Sequence, residues 1–254
     1  MKFIEDYAKA YVSGGKIFDK SAKDIFDTAT IYIIPMLNPD GIDLVTGALS
    51  KSSIEYSNAR KIASNFPNIR FPDGWKANIQ GIDLNLQFPA MWEQARQIKF
   101  SQGYTTYAPR DFVGNTPLEA PEAIALYDFT TNNNFELMLT YHSQGEVIFW
   151  KFLDYTPPRA LEIGEEFSRL SGYLLQDTPY ASSFAGFKDW FIQTYNLPGY
   201  TMEVGLGTNP LPISQFDTIY EDNIGILATA PFLIWLLSVY KYHKGAQIRA
   251  PLYF

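Results

Sequence analysis

Residues 135–141 read FELMLTY and run directly into His142 and the turn Ser143-Gln144-Gly145. A short apolar run closed by turn-forming residues has the length and composition of a strand. Residues 199–204, GYTMEV, make a second such run, with Glu203 near its end and glycines at 205 and 207. Glu146 to Phe152 reads as a third. Residues 30–37, TIYIIPML, are nearly all apolar without alternation, the pattern of a strand buried on both faces of a parallel or mixed sheet. Between these runs the spacing turns helical: Met1 to Tyr11 (Phe3, Ile4, Tyr7, Ala8 and Tyr11 on one face), Glu122 to Thr131, Pro158 to Ser171, Gly186 to Tyr195, and Tyr220 to His243 with a bend at Pro231. Alternating helices and short buried strands predict an α/β fold, a three-layer sandwich with a mixed, mostly parallel sheet flanked by helices. Asn38 to Gly41 reads as a turn, Gly81 to Phe88 as a strand end entering a loop, and Gly103 to Pro121 as loop. With no repeat and no low-complexity linker, residues 1–254 read as one domain.

Composition narrows the function. Hydrophobic residues make up 46% of the chain and aromatics 16%, enough for a substantial core. A formal net charge of −7 argues against a broad nucleic-acid surface, which needs clustered Lys and Arg. The absence of cysteine excludes disulfides, Cys-based zinc sites and thiol nucleophiles. Met1 to Val12 lacks the apolar core of a signal peptide. The apolar stretch Ile224 to Tyr240 is interrupted by Pro231 and falls short of a membrane span. Neither observation fixes a compartment. No G-x-S-x-G elbow, P-loop or complete dinucleotide fingerprint is present.

The chain has two histidines. His243 lies in Lys241-Tyr242-His243-Lys244 and reads as a cation near the negative end of a helix. His142 stands at a strand end, where side chains of α/β folds face the ligand crevice. Glu203 stands at the end of another, where a buried carboxylate must be paired or used. From the residues alone, each reads equally as a satisfied structural group or as a site residue.

The ordered set of segments resembles zinc carboxypeptidases of the carboxypeptidase A type. Pro35 to Gly41 (PMLNPDG) is similar to their P-x-x-N-P-D-G turn, Gly81 to Asn85 (GIDLN) to their G-V-D-L-N-R segment, and Pro117 to Ala123 (PLEAPEA) to P-x-S-E-P-E-T. His142-Ser143 resembles the H-S that carries the third zinc ligand, and Thr201-Met202-Glu203 the T-x-E of the catalytic glutamate. The wording WKAN, NLQFPA and HSQGEVI is closest to the bacterial branch that cuts γ-D-glutamyl to diamino-acid bonds in cell-wall peptides. The resemblance implies a peptide substrate and one zinc ion with His142 as a ligand. It implies Glu203 as general base, Lys76 as the cation that steadies the developing oxyanion, and Asn85 as a holder of the substrate carboxylate. Tyr180, nine residues before Asp189-Trp190, takes the part of the tyrosine that covers the site.

Two departures qualify this expectation. Leu86 stands where the family has an arginine that grips a terminal carboxylate, which favours cleavage within a peptide or a carboxylate held by some other residue. The family's H-x-x-E motif, source of two zinc ligands, occurs nowhere in the chain. The resemblance therefore covers the later two-thirds of a family domain, with the first strands lacking and Met1 standing for an internal methionine. The chain alone is expected to bind zinc weakly or not at all. The alternative is a non-catalytic, peptide-binding relative that has lost the metal site. A plain structural domain would leave Lys76, Asn85, His142 and Glu203 apart.

Overall fold

The structure is a computed structural model that describes residues 1–243, with side chains described through Ile234; the His243 side chain lies outside the described residues. Helix α1 (Lys2–Ser13) is followed by a small hairpin, β1 (Lys16–Ile17) and β2 (Lys20–Ser21), and by α2 (Ala22–Thr28). Helices α3 (Pro39–Thr46), α4 (Ile54–Ala63), α5 (Trp92–Ser101) and α6 (Pro121–Thr131) come next. The second half contains β3 (Met138–His142), β4 (Val147–Phe149), α7 (Ala160–Ser171), β5 (Leu174–Gln176), α8 (Phe187–Tyr195), β6 (Gly199–Glu203) and the long α9 (Phe216–His243).

The main sheet runs β3-β6-β4-β5. β3 and β6 are parallel, β4 and β5 are parallel, and β4 and β6 are antiparallel, so the sheet is mixed and mostly parallel as expected. On one face, Ile148, Tyr200 and Met202 pack with Ile163 and Phe167 of α7 and Ile226 and Ala230 of α9. Helix α8 covers the other face. Its close approach requires a glycine at 199, where a Cβ would come within 3.3 Å of Met138 and 3.4 Å of Ile192. Beyond α8, Trp190 and Ile192 join Phe88, Phe112, Phe152 and Phe184 in the largest apolar cluster. Helices on both faces of one sheet give the three layers.

Three expectations need correction. Thr30 to Leu37 is not a strand: the backbone carries no ladder there, and Ile31, Tyr32, Ile33, Ile34 and Met36 are 36–53% exposed. An apolar run specifies burial but not a pairing partner, and β3 has an open edge with no strand paired to it among the described residues. Asn38 to Gly41 opens α3 rather than forming a free turn. Asn38 Oδ1 accepts the Gly41 N–H at 3.2 Å and Pro39 takes the first helical position, where its missing N–H costs nothing. Gly81 to Phe88 holds a 3-10 turn at Leu84–Leu86 rather than a strand end, because Asp83 caps it from its own side chain.

Candidate active site

The parallel pairing of β3 and β6 sets His142 directly beside Glu203 at the carboxyl ends of both strands. Beyond these residues the two chain segments remain laced together. Val204 N–H donates to the His142 carbonyl at 2.8 Å, Gly145 N–H to the Gly205 carbonyl at 2.8 Å, and Asn209 Nδ2 to the Ser143 carbonyl at 2.9 Å. Gly205 adopts a φ of 69°, and a Cβ there would meet Leu211, Gln215 and Ile219 at 2.7–2.8 Å. Only glycine lets the chain leave Glu203 along this path.

Lys76 reaches this strand end from a loop. Its N–H and that of Ala77 both donate to the Pro109 carbonyl at 2.8 and 2.9 Å. The neighbouring Trp75 indole N–H is fixed by the Ala77 carbonyl at 2.9 Å. The Lys76 ammonium lies 3.0 Å from Asp83 Oδ2, with the lysine side chain partly exposed and the carboxylate buried. Desolvation works against the charged lysine there, but attraction and a hydrogen bond from Asp83, aided by Asp111, outweigh it and raise its pKa above the ordinary value. His142 is pushed down to about 4, first by burial and then by the Lys76 charge, with Asp83 opposing. Its imidazole is therefore neutral at pH 7, the form that can donate a lone pair to a metal. Burial raises the Glu203 pKa while Lys76 opposes. A carboxylate with a raised pKa, beside a cation, has the character of a proton acceptor. The Lys76 charge thus acts on both His142 and Glu203, and Asp83 acts on Lys76 and His142.

Asn85 is exposed on the 3-10 turn, and Leu86 points the other way into the main apolar cluster. The side chain that replaces the family's arginine is thus core, not cleft. The Asn85 side chain approaches the start of α8: its Oδ1 lies 3.4 Å from where a Cβ of Gly186 would stand, and Asp189 Oδ2 lies 2.6 Å from the same point. Tyr180 sits on the short turn Tyr180–Ser182 that precedes α8, 63% exposed, its ring edge-on to Phe184 at 5.0 Å. Its ring contact and its backbone bond to Ser183 both stay on its own turn and the residues leading into α8. The structure brings His142, Glu203 and Lys76 together, sets Asn85 on the turn capped by the same Asp83, and leaves Tyr180 on the surface. Asp83 itself went unassigned in the sequence, although a carboxylate between Ile82 and Leu84, both buried, was a signal for it.

Zinc needs three protein ligands besides water in a catalytic site. Among the described residues, no group of three or more His, Asp or Glu side chains could hold a metal ion. The neutral His142 imidazole is the form that ligates a metal, but the described residues do not make a complete zinc site.

The model of the zinc carboxypeptidase family matches residues 1–225. The chain belongs to the zinc carboxypeptidase family. It is 44% identical over 233 residues to γ-D-glutamyl-L-diamino acid endopeptidase 1 of Lysinibacillus sphaericus, covering 92% of this chain and 57% of that protein. It is 37% identical over 232 residues to the protein YqgT of Bacillus subtilis (strain 168), covering 91% of this chain and 60% of that one. Among solved structures, thrombin-activatable fibrinolysis inhibitor superposes with a TM-score of 0.62 at 16% identity, over 92% of this chain and 57% of that chain, a likeness of fold. The chain spans under two-thirds of the length of these relatives. Zinc carboxypeptidases are zinc-dependent peptidases, and peptide-bond hydrolysis is the chemistry of the family. No helix among the described residues of this family member is long and apolar enough to cross a membrane.

Proposed function

We propose that this chain is the later part of a zinc-dependent peptidase domain that hydrolyses cell-wall peptides at γ-D-glutamyl to diamino-acid bonds. The observation that carries the reading is the register of β3 and β6, which pairs His142 with Glu203 within reach of the Lys76 charge. In this reading, His142 contributes one zinc ligand through its neutral imidazole. Glu203 accepts a proton from water and returns it to the leaving amine. Lys76 steadies the negative charge that grows on the scissile carbonyl oxygen. Asn85 contacts the substrate from the turn, and Tyr180 closes over it from the surface. Zinc supplies Lewis acidity once the remaining ligands, absent from the described residues, are present.

The substrate class rests on the 44% identity to a protein named for that bond. The core position of Leu86 agrees with it: no guanidinium at that turn grips a terminal carboxylate, which suits cleavage within a peptide. One observation favours a second reading. The lack of a three-ligand cluster among the described residues suits a peptide-binding relative without metal.

Zinc content separates the two, measured after metal loading on this chain and on a form that also carries the family's H-x-x-E segment. About one zinc per extended chain, with hydrolysis of L-alanyl-γ-D-glutamyl-L-lysine, is the expected result. Neither form holding zinc would sink the peptidase reading, and peptide binding without turnover would take its place.

A further inference from the structure

Asp83 is almost fully buried, with 1% of its surface exposed, yet its carboxylate touches two other segments and caps its own turn. Oδ2 accepts from Lys76 Nζ at 3.0 Å and from the Asp111 backbone N–H at 3.1 Å. Oδ1 accepts from the Asn85 N–H at 3.2 Å. Its own N–H donates to the Phe112 carbonyl at 2.9 Å. The Asp111 side chain is in turn paired with Lys99 at 2.5 Å and with Arg110 at 2.9 Å, which holds the 109–112 loop in place behind it. A buried carboxylate is expensive unless each lone pair is used, and here the partners using them are the segments that carry the site.

We propose that Asp83 is a positioning residue that couples the Lys76 cation to the Asn85 turn, so that both face the peptide in a single arrangement. This rests on the proposed peptidase or peptide-binding site. A lysine is a flexible four-carbon stem with a point charge, and without a fixed partner its ammonium would sample solvent. The contact with Asp83 holds it where its charge acts on His142 and Glu203. The same carboxylate caps the 3-10 turn, so displacement of Lys76 and loosening of Asn85 are one event. Lys76 and Asn85 should therefore behave as a unit, not as two independent contacts.

The test is calorimetric binding of L-alanyl-γ-D-glutamyl-L-lysine to this chain without metal, for the parent, Asp83→Asn, Asp83→Glu, Lys76→Met and the double variant Asp83→Asn/Lys76→Met. Amide hydrogen exchange at Asn85 and Asp111 is followed alongside. The expected results are a loss of affinity of roughly tenfold or more in Asp83→Asn and partial recovery in Asp83→Glu, with the double variant no weaker than the worse single one. Exchange at both amides should quicken in Asp83→Asn while that in β3 and β6 stays unchanged. A merely structural role would quicken exchange but leave the two substitutions additive in binding. Should Asp83→Asn not fold, Lys76→Met and Asn85→Ala make the same cycle, and additivity there overturns the coupling. Parent-like binding by Asp83→Asn overturns the positioning role alone. A parent chain that does not bind the peptide removes the proposed site, and the positioning role with it.

Discussion

Replacing Lys188 by Met tests how the start of α8 is held. The side chains of Lys188 and Asp189 are each 5% exposed, and Lys188 Nζ lies 2.6 Å from Asp189 Oδ1. The ammonium also donates to the Lys151 carbonyl at 2.7 Å and to Thr178 Oγ1 at 3.4 Å. Asp189 Oδ1 has no hydrogen-bond partner, so the contact with Lys188 is one of charge, without the alignment of a hydrogen bond. Methionine fills a similar volume but leaves the carboxylate buried and uncompensated. Breaking one side of such a pair costs about 3–5 kcal/mol. In a chain of this size each kcal/mol lowers Tm by about 2–4 °C, so a fall on the order of 10 °C is expected. Urea unfolding followed by tryptophan fluorescence reads the same loss, and Trp190 lies next to the pair. Adding Asp189→Asn to Lys188→Met removes the stranded charge and should recover much of the stability. A single variant within about 1 kcal/mol of the parent, or a double variant no better than the single, would refute the reasoning.

Gly186→Ala sets a Cβ 2.6 Å from Asp189 Oδ2 and 3.4 Å from Asn85 Oδ1. With Asp189 buried and unable to retreat, this should cost about 1–3 kcal/mol in urea, more than Gly199→Ala, whose neighbour is the flexible Met138 side chain. Tyr200→Phe loses the buried bond from the phenol to the Ala160 carbonyl at 2.7 Å and should cost about 1 kcal/mol in the same assay, with no change in fold by circular dichroism. The raised pKa of Glu203 means the folded state binds that proton more readily than the unfolded chain, so this group's contribution is full below its ordinary value of 4.5 and falls away as pH rises through the folded value. Glu203→Gln should therefore gain stability at neutral pH and lose the gain in acid; a gain independent of pH contradicts the burial argument. His142 has the opposite sign. Its depressed pKa supports the fold above 6.5, and that support fades as pH falls toward about 4, so His142→Gln should flatten this limb of the metal-free protein's stability curve.

The strands that carry the site were legible because their sequences carry two signals at once. FELMLTY and GYTMEV are apolar runs of strand length, and each ends in a polar residue that an apolar interior would reject. The register that sets His142 against Glu203 was not legible, since a run of apolar residues fixes burial and not its partner. Helix α6, with a proline in its first turn, came through to within a residue, whereas α2, α3 and α4 went unread although Ser21, Asn38 and Ser53 cap them. Helix α5 went unread: its first residue Trp92 follows Met91 at a φ of 52°, with no side-chain cap to announce it. β5 is three residues long, too short for any periodicity.

Residues 30–37 make the instructive failure. Their composition asks for burial on both faces, and the structure gives them exposure. Tyr32 meets Phe129 and Phe135, the latter three residues before β3 begins, and Asn38 Nδ2 donates to the Ala77 carbonyl next to Lys76. The segment therefore has one anchor ahead of β3 and another beside Lys76, and it forms no ladder between them. A sequence that agrees with its fold at every level folds to one state, and a local conflict marks the place where something further decides. Here the conflict lies along the one sheet edge that also borders the candidate site. The exposed apolar run and the candidate site residue Lys76 are thus joined through the bond from Asn38 to Ala77.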